Sequence, residues 1–546
     1  MPRHTTGEAV VEALLAHGMG TLYALPGVHN DHLFDAVARS DGRMRIVHTR
    51  HEQTAAYMAL GAALATGRPQ AFSVVPGPGL LNASAALLSA YGAGAPVLAL
   101  VGQIPSFAID RGLGHLHELR DQLGLLGHMT KFAARIEGPA AAPGLVARAV
   151  HEAMSGRQRP VALECAIDVW GQSAEVVPVA PIPPVRPPLD LDAVARAAAL
   201  MAEAKRPIIV AGSGAHGASA ELLAFVERLG APVVTYRRGR GVLATTHPLA
   251  AALPVGNRLW AEADLAIGVG TRMLQPLSIW GTDARLKLVR IDIDAEEATR
   301  FRHPDVAIVA DAAEALAALT MALPARREPH PAIAREQAWL ADRLARQEPQ
   351  MGFLRAIRAA LPDDGILVED VTQLAFVARV AFDVAAPRRY IAPGYQDNLG
   401  WGYGIALGAQ DACRDRAVVC VAGDGGFMYQ AGELATAVAH NLPLVVVVFD
   451  DGAFGNVRRI QQHQFGNRLI ASDLTNPDFR QFAESFGVRA WKVSDAEGLE
   501  SALREALAAR KPGLIAVRVG EMPSPWDMLV GKRVRGMDEA WRPNMP

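Results

Sequence analysis

The chain has 546 residues, of which half are hydrophobic and a fifth are charged, and its formal net charge is -2. This length exceeds what one hydrophobic core usually supports, so we expect about three domains. The near-neutral charge gives no electrostatic footprint for nucleic acid or for an anionic membrane surface, and we expect neither as a partner.

The sequence also gives no sign of export or of a membrane span. Glu8, Glu12 and His17 interrupt the apolar pattern near the N-terminus, which is not the form of a usual signal peptide. No charge-free apolar window of about 18 residues occurs, so we expect no transmembrane helix. The three cysteines have no metal-ligand spacing and are most simply buried thiols of a cytoplasmic protein.

Short β-rich apolar runs alternate with Ala/Leu-rich helical stretches along the whole chain, which is typical of parallel α/β sheets. The proline-rich run 177–188 suits neither a helix nor a central strand and predicts a stiff linker. A second boundary is expected between Leu323 and Pro331. We therefore predict three doubly wound parallel-sheet domains, at residues 1–176, 189–325 and 335–546.

Two turns of the first domain contain residue types that suit a binding site. A predicted strand leads into Glu52, which then falls in the first turn of a small-residue helix over 53–66. Taken alone, Glu52 has a structural explanation, because an acid there complements the helix dipole. The strand 71–75 is followed by Pro76 and Gly77, a Gly/Pro turn that lets the backbone approach another group closely.

The second domain contains a formal G-x-G-x-x-G at 212–217, between the strand 207–211 and a helix. Dinucleotide binding calls for an acid at the end of the next strand, but that strand ends in Arg237 and Arg238. These arginines suit an ADP moiety or a 2′-phosphate, and a Rossmann-like domain without a ligand explains the motif equally well. A nucleotide-dependent oxidoreductase is therefore the weaker hypothesis.

The third domain has the strongest motif. The apolar run 417–422 is followed by Gly423, Asp424, Gly425 and Gly426, and the run 444–449 delivers Asp450 and Asp451. Ligands of α/β sheets gather outside the carboxyl ends of strands, so both strand ends offer carboxylates to one place. Such oxygens bind hard divalent cations, and exposed glycine N–H groups bind phosphate. Taken alone, the Gly-Asp-Gly triplet is equally a common turn between a strand and a helix.

Taken together and in order, these segments resemble the thiamine diphosphate-dependent family of acetolactate synthase, benzoylformate and pyruvate decarboxylases, and benzaldehyde lyase. The resemblance covers nearly the whole chain. It rests on His51-Glu52, Gly77-Pro78-Gly79 with Asn82, Val371-Thr372-Gln373, the glycine-rich stretch from Leu399 to Gly404, and the segment from Gly423 to Asp451.

The resemblance implies a cofactor site of thiamine diphosphate and Mg²⁺. Glu52 matches the acid that hydrogen-bonds the pyrimidine ring, and Leu399 matches the aliphatic residue that supports the bent cofactor. Asp424, Asp451 and the backbone carbonyl of Ala453 match the Mg²⁺ ligands, although the family more often has asparagine at the position of Asp451. The other cofactor contacts implied are Pro76, Gly77, Asn82, Thr372, Gln373, Gly423, Gly425, Gly426 and Phe454.

The resemblance also bears on assembly and on the second domain. In the family, the Glu52-type domain of one subunit lies over the Asp424-type domain of another, which implies a homodimer or a homotetramer. Some members hold FAD on the middle domain, whereas others hold ADP or nothing there. The sequence leaves the choice between FAD, ADP and no ligand open.

Two histidines bear on the reaction. His29 falls where benzaldehyde lyase also has histidine, and His117 falls where acetolactate synthases and benzaldehyde lyase have glutamine. Both are predicted to face the reacting carbon, where imidazoles relay protons. We favour an acetolactate synthase-like enzyme that decarboxylates a 2-oxo acid and transfers the acyl unit. The alternatives are a 2-oxo acid decarboxylase and a 2-hydroxy ketone lyase, whereas a non-catalytic relative would be expected to lack Glu52 or Asp424.

Overall fold

The computed structural model describes residues 3–324 and 328–536 of the chain. It contains three six-stranded sheets, and every strand pair within them is parallel. Helices flank each sheet, which confirms the predicted class of three α/β domains. Within these described ranges, no helix has the length and apolar character that crossing a membrane requires.

The first domain begins with a short strand and then alternates strands and helices. Its strands are β1 (Arg3–Thr5), β2 (Thr21–Ala24), β3 (Arg45–His48), β4 (Gln70–Val74), β5 (Val97–Gln103), β6 (Ala133–Ile136), β7 (Val161–Ala166) and β8 (Ser173–Glu175). Its helices are α1 (Thr6–Ala16), α2 (Asp31–Ala38), α3 (Glu52–Thr66), α4 (Pro78–Ala93), α5 (Gln122–Met129), α6 (Ala142–Met154) and α7 (Ile167–Trp170). The sheet order is β3-β2-β4-β5-β7-β6, and β1 and β8 form a separate antiparallel pair.

The second domain has the same alternation. Its strands are β9 (Pro207–Ala211), β10 (Val233–Thr235), β11 (Ala250–Ala252), β12 (Leu265–Val269), β13 (Lys287–Asp292) and β14 (Val306–Val309). Its helices are α8 (Leu191–Glu203), α9 (Ser219–Leu229), α10 (Leu253–Trp260), α11 (Ala295–Thr299) and α12 (Ala312–Ala322). The strand order is β11-β10-β9-β12-β13-β14.

The third domain is the largest. Its strands are β15 (Ile366–Glu369), β16 (Tyr390–Ile391), β17 (Val418–Gly423), β18 (Val445–Asp450), β19 (Arg489–Val493) and β20 (Gly513–Arg518). Its helices are α13 (Ile333–Leu344), α14 (Gln350–Ala360), α15 (Gln373–Ala381), α16 (Gly402–Ala412), α17 (Asp424–Phe427), α18 (Leu434–Ala439), α19 (Gly455–Gln464), α20 (Phe479–Ser485), α21 (Ala496–Ala509) and α22 (Trp526–Leu529). The order β16-β15-β17-β18-β20-β19 puts β17 and β18 side by side at the centre.

The observed elements differ from the predicted ones by one or two residues at their ends. Helix α3 begins at Glu52, because the side chain of His51 accepts a hydrogen bond from the Gln53 N–H and caps the helix there. No helix or strand lies between Glu175 and Leu191, as predicted for the proline-rich linker. The domain boundaries themselves stay predictions, and residues 325–327 and 537–546 lie outside the described ranges.

The three cysteines are buried and form no disulfide, as predicted from their spacing. Burial raises the pKa of the Cys420 thiol well above its usual value, so this side chain behaves as a small apolar group. A cytoplasmic location remains a prediction that these thiols support.

The first and third domains meet along two helices that pack backbone against backbone. Helix α3 is buried from Thr54 to Ala65 and lies against α16. A Cβ added at Gly61 would overlap the carbonyl oxygen of Ile405, and one added at Gly408 would overlap that of Met58. Only glycine permits so close an approach, so these two positions fix how the domains are joined.

Candidate active site

The ends of β17 and β18 bring together the carboxylates predicted to bind a metal. The register pairs Gly423 with Phe449, so Asp424 emerges beside Asp450 and Asp451. Asp424 is only 1% exposed. Its Oδ2 accepts hydrogen bonds from the Gly452 N–H at 3.0 Å and from Asn476 Nδ2 at 2.6 Å.

Asp451 is held in place by the start of α15 and by its own turn. Its Oδ2 accepts from Gln373 Nε2 at 2.5 Å, and its Oδ1 accepts from the Ala453 N–H at 3.2 Å. Burial and the neighbouring carboxylates raise the pKa of Asp424 to about 6, and burial raises the pKa of Asp451 as well. The two groups are thus negative charges crowded into a place where a cation would relieve their repulsion.

Asp450 has a different environment from its two neighbours. Its Oδ2 accepts from Arg518 Nη1 at 2.8 Å, and its Oδ1 accepts from Asn476 Nδ2 at 2.9 Å. Among the ion pairs of the described residues, none involves Asp424 or Asp451. The charge of Asp450 is therefore already compensated, whereas those two carboxylates have no cationic partner.

The donor set fits a hard divalent cation. It offers the carboxylates of Asp424 and Asp451, with the backbone carbonyl of Ala453 in the same turn. In the described part of the chain, no cluster of three or more His, Cys, Asp or Glu side chains could hold a metal. The remaining ligands would therefore be phosphate oxygens and water, which is how Mg²⁺ usually binds beside a phosphorylated cofactor.

A cavity of about 390 Å³ opens in front of these carboxylates. Its lining comprises Gly425, Met428, Tyr429, Phe454, Leu474, Thr475 and Asn476. The α-carbon of Gly425 lies against the ring of Phe454, where any side chain would collide. The Gly425 N–H donates to Asp424 Oδ1 at 2.9 Å. The cavity therefore adjoins the glycine turn and Asn476, both of which contact Asp424.

Asp370 connects three of the predicted cofactor segments. Its fully buried carboxylate accepts from the N–H groups of Val371 at 2.7 Å, Gly400 at 3.2 Å and Gly402 at 3.3 Å. A Cβ on Gly426 would lie 2.9 Å from Asp370 and 3.3 Å from Leu399. Leu399 therefore lies beside the Gly-Asp-Gly turn, as its register predicted. Burial raises the pKa of Asp370 to about 7.

The other third-domain residues predicted to contact the cofactor lie around the same strand ends. Thr372 is the N-cap residue of α15 and faces the α-carbon of Gly423. Gln373 accepts a hydrogen bond from Arg459 Nη2 at 2.9 Å, which fixes the side-chain amide that holds Asp451. Phe454 is the N-cap residue of α19.

Glu52 and Asn82 meet in the first domain. Glu52 is the first residue of α3, and Asn82 lies in the second turn of α4, from which its Nδ2 donates to Glu52 Oε2 at 3.1 Å. The turn before α4 starts at Pro76 and Gly77, and Gly77 has φ +56. A Cβ there would lie 2.5 Å from the carbonyl oxygen of His117, so glycine is required. The acid, the amide and the turn therefore form one local unit.

The two predicted histidines lie against each other. The rings of His29 and His117 stack with centroids 5.0 Å apart and an angle of 24° between their planes. His29 is buried, and burial together with the nearby His117 lowers the pKa of His29. His117 has φ +64, a backbone conformation that non-glycine residues rarely adopt. The structure thus brings both histidines to the turn at Gly77.

The two groups of residues are separate within one chain. Among the described residues, no hydrogen bond links Glu52 or Asn82 to Asp424 or Asp451. Exposed apolar side chains border each group. They are Val28, Leu81 and Leu116 in the first domain, and Met428 and Tyr429 in the third.

Sequence reasoning missed Asn476 and Asp370. Asn476 lies in a loop 52 residues after its partner Asp424, and no motif spacing marks it. Asp370 had a signal, because two acids in a row end a buried strand directly before the Val-Thr-Gln segment. A buried acid at such a place needs N–H partners, and the glycines at 400 and 402 supply them.

Three parallel α/β domains with these two groups of residues have the features expected of an enzyme that binds a diphosphate cofactor. Three family models described as thiamine pyrophosphate enzyme match the chain, one in each of its three sheet-containing parts. They are the N-terminal TPP binding domain at residues 4–125, the central domain at 194–319 and the C-terminal TPP binding domain at 370–517. The chain belongs to the thiamine pyrophosphate enzymes.

Individual relatives match over almost the full length of both chains. A probable 2-ketoarginine decarboxylase from Pseudomonas aeruginosa is 34% identical over 541 residues, which cover 94% of each chain. A probable acetolactate synthase large subunit from Methanocaldococcus jannaschii is 32% identical, covering 93% of this chain and 91% of the relative. Acetolactate synthase isozyme 1 large subunit from Escherichia coli is 28% identical, covering 95% and 94%. These likenesses confirm an enzyme of lyase or transferase type.

Proposed function

We propose that this enzyme decarboxylates a 2-oxo acid and transfers the resulting acyl unit to a second carbonyl compound, as an acetolactate synthase-like carboligase. The observation that carries the proposal is the presence of two groups of residues that each suit one end of the cofactor. One is Glu52 with Asn82, and the other is Asp424 with Asp451; we call each of them a half-site. The acetolactate synthases among the relatives support it. When bound, thiamine diphosphate supplies a carbanion that adds to the carbonyl carbon of the substrate.

The residues of this chain would hold the cofactor at both of its ends. Asp424, Asp451 and the Ala453 carbonyl would bind Mg²⁺, which in turn would bind the diphosphate. Leu399 would support the bent form, and Asp370 would keep the segment of Leu399 against the glycine turn. Glu52 would share a proton with the pyrimidine ring, while Asn82 fixes the orientation of its carboxylate.

His29 and His117 are proposed to handle the proton at the substrate. Burial lowers the pKa of His29, so its ring is in the neutral form that can act as a proton acceptor near pH 7. Its stacked neighbour His117 exchanges a proton with His29. His117 would donate this proton to, or accept it from, the substrate carbon that loses CO₂. The same pair favours a second candidate function, a 2-oxo acid decarboxylase that protonates this carbon and releases an aldehyde. The probable 2-ketoarginine decarboxylase among the relatives also supports this candidate.

We propose that the active enzyme is a homodimer or a dimer-based homotetramer. Each half-site is bordered by exposed apolar side chains, and such patches usually mark an interface. A second copy would place its Glu52 over the Asp424 group of the first copy. The exposed apolar side chains beside both half-sites would then be buried in the interface. Light scattering would show a monomer if this is wrong. Tyr429→Glu should weaken the dimer, whereas Leu191→Glu, an exposed site in the first turn of α8, should not.

The central domain is proposed to bind a nucleotide, either FAD or ADP. A cavity of about 600 Å³ is lined by residues that include Gly212, Gly214, Arg238 and Arg272. Burial and neighbouring arginines lower the pKa of Arg238 to about 9, so the cavity holds positive charge that a diphosphate would offset. The absorbance of the purified protein between about 350 and 500 nm distinguishes the two, because only a flavin absorbs there.

The test of the reaction uses purified enzyme with thiamine diphosphate, Mg²⁺ and a panel of 2-oxo acids and 2-hydroxy ketones. Products are identified by NMR. A carboligase forms a 2-hydroxy ketone or a 2-acyl-2-hydroxy acid together with CO₂, whereas a decarboxylase forms only an aldehyde and CO₂. Cleavage of a 2-hydroxy ketone without a 2-oxo acid would identify a lyase and contradict the main proposal. The variant Asp424→Ala is the control for activity that depends on the cofactor site.

A further inference from the structure

A buried polar network lies beneath the turn at Gly77 and involves none of the residues predicted to act in the reaction. Gln122, the first residue of α5, is 1% exposed, and Glu164 on β7 is 0% exposed. Gln122 Oε1 accepts from the Gly77 N–H at 3.1 Å. Gln122 Nε2 donates to Glu164 Oε2 at 2.9 Å and to the Gly102 carbonyl at 3.0 Å.

The partners of Gln122 determine which way its amide points. An ionised carboxylate only accepts hydrogen bonds, so the end of the amide beside Glu164 must be the NH₂ group. The oxygen must then face Gly77, where an N–H donor meets it. In the reverse orientation, oxygen would face the carboxylate and NH₂ would face N–H. Glu164 therefore orients the side chain that holds the Gly77 turn.

Glu164 is itself fixed and compensated. Arg135 Nε donates to Glu164 Oε1 at 2.6 Å, and Gln103 Nε2 donates to Oε2 at 3.2 Å. A buried carboxylate is tolerated because it has an ion pair and further hydrogen bonds. The anchor of the network is thus rigid and lies on the sheet.

The segment from His117 to Gln122 is attached to Gly77 at both of its ends. The carbonyl of His117 lies against the α-carbon of Gly77, and the amide of Gln122 binds the Gly77 N–H. Any movement of Gly77 would consequently shift His117, and with it the ring stacked on His29.

We propose that Gln122, oriented by Glu164, is a positioning residue that fixes how the imidazoles of His29 and His117 stack over the Gly77 turn. It has no contact with Glu52 or with the carboxylates of the third domain among the contacts of the described residues. The inference rests on the proposed proton role of the two histidines. Its structural part, the spacing of the rings, holds whatever the substrate is.

The test compares Gln122→Met, which has similar volume and no acceptor, with the wild type. Loss of the acceptor leaves a buried N–H unpaired, so the turn should shift. A displacement of about 1 Å costs up to about 100-fold in rate, so kcat should fall by about 10- to 100-fold. The pH dependence of kcat should change when measured at saturating thiamine diphosphate and Mg²⁺, because saturation removes any effect of a weaker cofactor contact at Gly77. A crystal structure of the variant should show a distance between the His29 and His117 ring centroids that is larger than the 5.0 Å of the wild type.

A second pair of variants decides the matter even where Gln122→Met does not fold. Gln122→Glu places a second carboxylate against Glu164 and should lose activity and stability. Combining it with Glu164→Gln restores one amide and one carboxylate in exchanged positions. This double variant should recover at least about threefold of the lost kcat, since the contact between the two side chains again joins a donor to an acceptor. Recovery should stay incomplete, because the Gly102 carbonyl and Gln103 Nε2 lose their complementary partners.

Three results would overturn the inference. One is an unchanged pH profile and an unchanged ring stack in folded Gln122→Met. Another is equal loss in Gln122→Glu and in the double variant. The third is a loss of kcat explained entirely by weaker cofactor binding. If the wild type turns over no 2-oxo acid, the proposed function fails, and the ring geometry in the crystal structures still tests the positioning role.

Discussion

Asn82 donates a hydrogen bond from its Nδ2 to Oε2 of Glu52 between two neighbouring helices, α4 and α3, over 3.1 Å. This contact leaves the other carboxylate oxygen of Glu52 available to a ligand. It also ties the orientation of the acid to α4, whose start is set by the Gly77 turn. The orientation of the Glu52 carboxylate is therefore set by α4 as well as by its own helix α3.

Replacing Glu52 with glutamine should abolish most turnover and leave the cofactor bound. The amide keeps the size of the side chain but cannot share a proton, and general acid–base catalysis contributes about 10²- to 10⁴-fold. We expect kcat to fall by at least about 100-fold, measured by CO₂ release. Calorimetric titration should still show thiamine diphosphate binding, because the Asp424 group is intact. Near-normal turnover would contradict the role of Glu52.

The two metal-site carboxylates should respond differently to substitution. Asp451→Asn keeps an oxygen that can accept from Gln373 and bind a cation, and it removes one of the crowded negative charges. Mg²⁺ affinity should change by less than about tenfold, the equivalent of about 1.4 kcal/mol. Asp424→Ala removes a buried ligand and should abolish Mg²⁺-dependent cofactor binding. Equal effects of the two substitutions on Mg²⁺ affinity would contradict the assignment of Asp424 and Asp451 as the two carboxylate ligands.

The pH dependence of kcat/KM should show His29 as a neutral base. Burial and the neighbouring His117 lower the pKa of His29 from its usual value of 6.5. The neutral ring therefore persists below pH 6.5, and activity should fall only as the pH drops through the lowered value. His29→Gln should have low activity without this acid limb. An inflection at or above pH 6.5 that disappears in His29→Gln would contradict the structure.

His117→Ala should alter the ratio of products more than the affinity for the cofactor. Its ring stacks on His29, and a proton that is returned to carbon gives an aldehyde in place of a carboligation product. We expect the fraction of aldehyde to change while the apparent Kd for thiamine diphosphate stays within about threefold, less than about 0.7 kcal/mol. NMR of the product mixture measures the fraction. An unchanged ratio would remove His117 from the reaction.

Gly408→Ala should destabilise the protein without touching the proposed site. The added methyl group would overlap the carbonyl of Met58, and backbone cannot move aside as a side chain can. Overpacking of this kind costs about 1–3 kcal/mol or more. The matched control is Gly432→Ala, since a Cβ there meets nothing within 4 Å. A lower thermal transition for Gly408→Ala alone is the expected result, and equal transitions would mean that the helices can separate slightly.

The sequence predicts those parts of the site that lie at strand ends or in short motifs. Asp424 and Asp451 follow apolar runs that fit no element other than buried strands, and Glu52 and Gly77 open helices after similar runs. Asp370, Asn476 and Gln122 could not be predicted in their roles. Their partners are distant in sequence, and a hydrogen bond between distant loops leaves no periodic pattern. The orientation of the His29 and His117 rings likewise depends on the backbone of His117, which no residue preference indicates.

The glycine contact between α3 and α16 also limits how the enzyme can open. Backbone packed directly on backbone has no compressible layer of side chains, so the first and third domains cannot swing about a hinge without losing the contact. Substrate and product must then enter and leave through displacement of surface segments or of whole subunits. The exposed loop that carries His115 and Leu116, with several residues at positive φ, is the nearest such segment to the histidines. Turnover would then be gated by local loop motion.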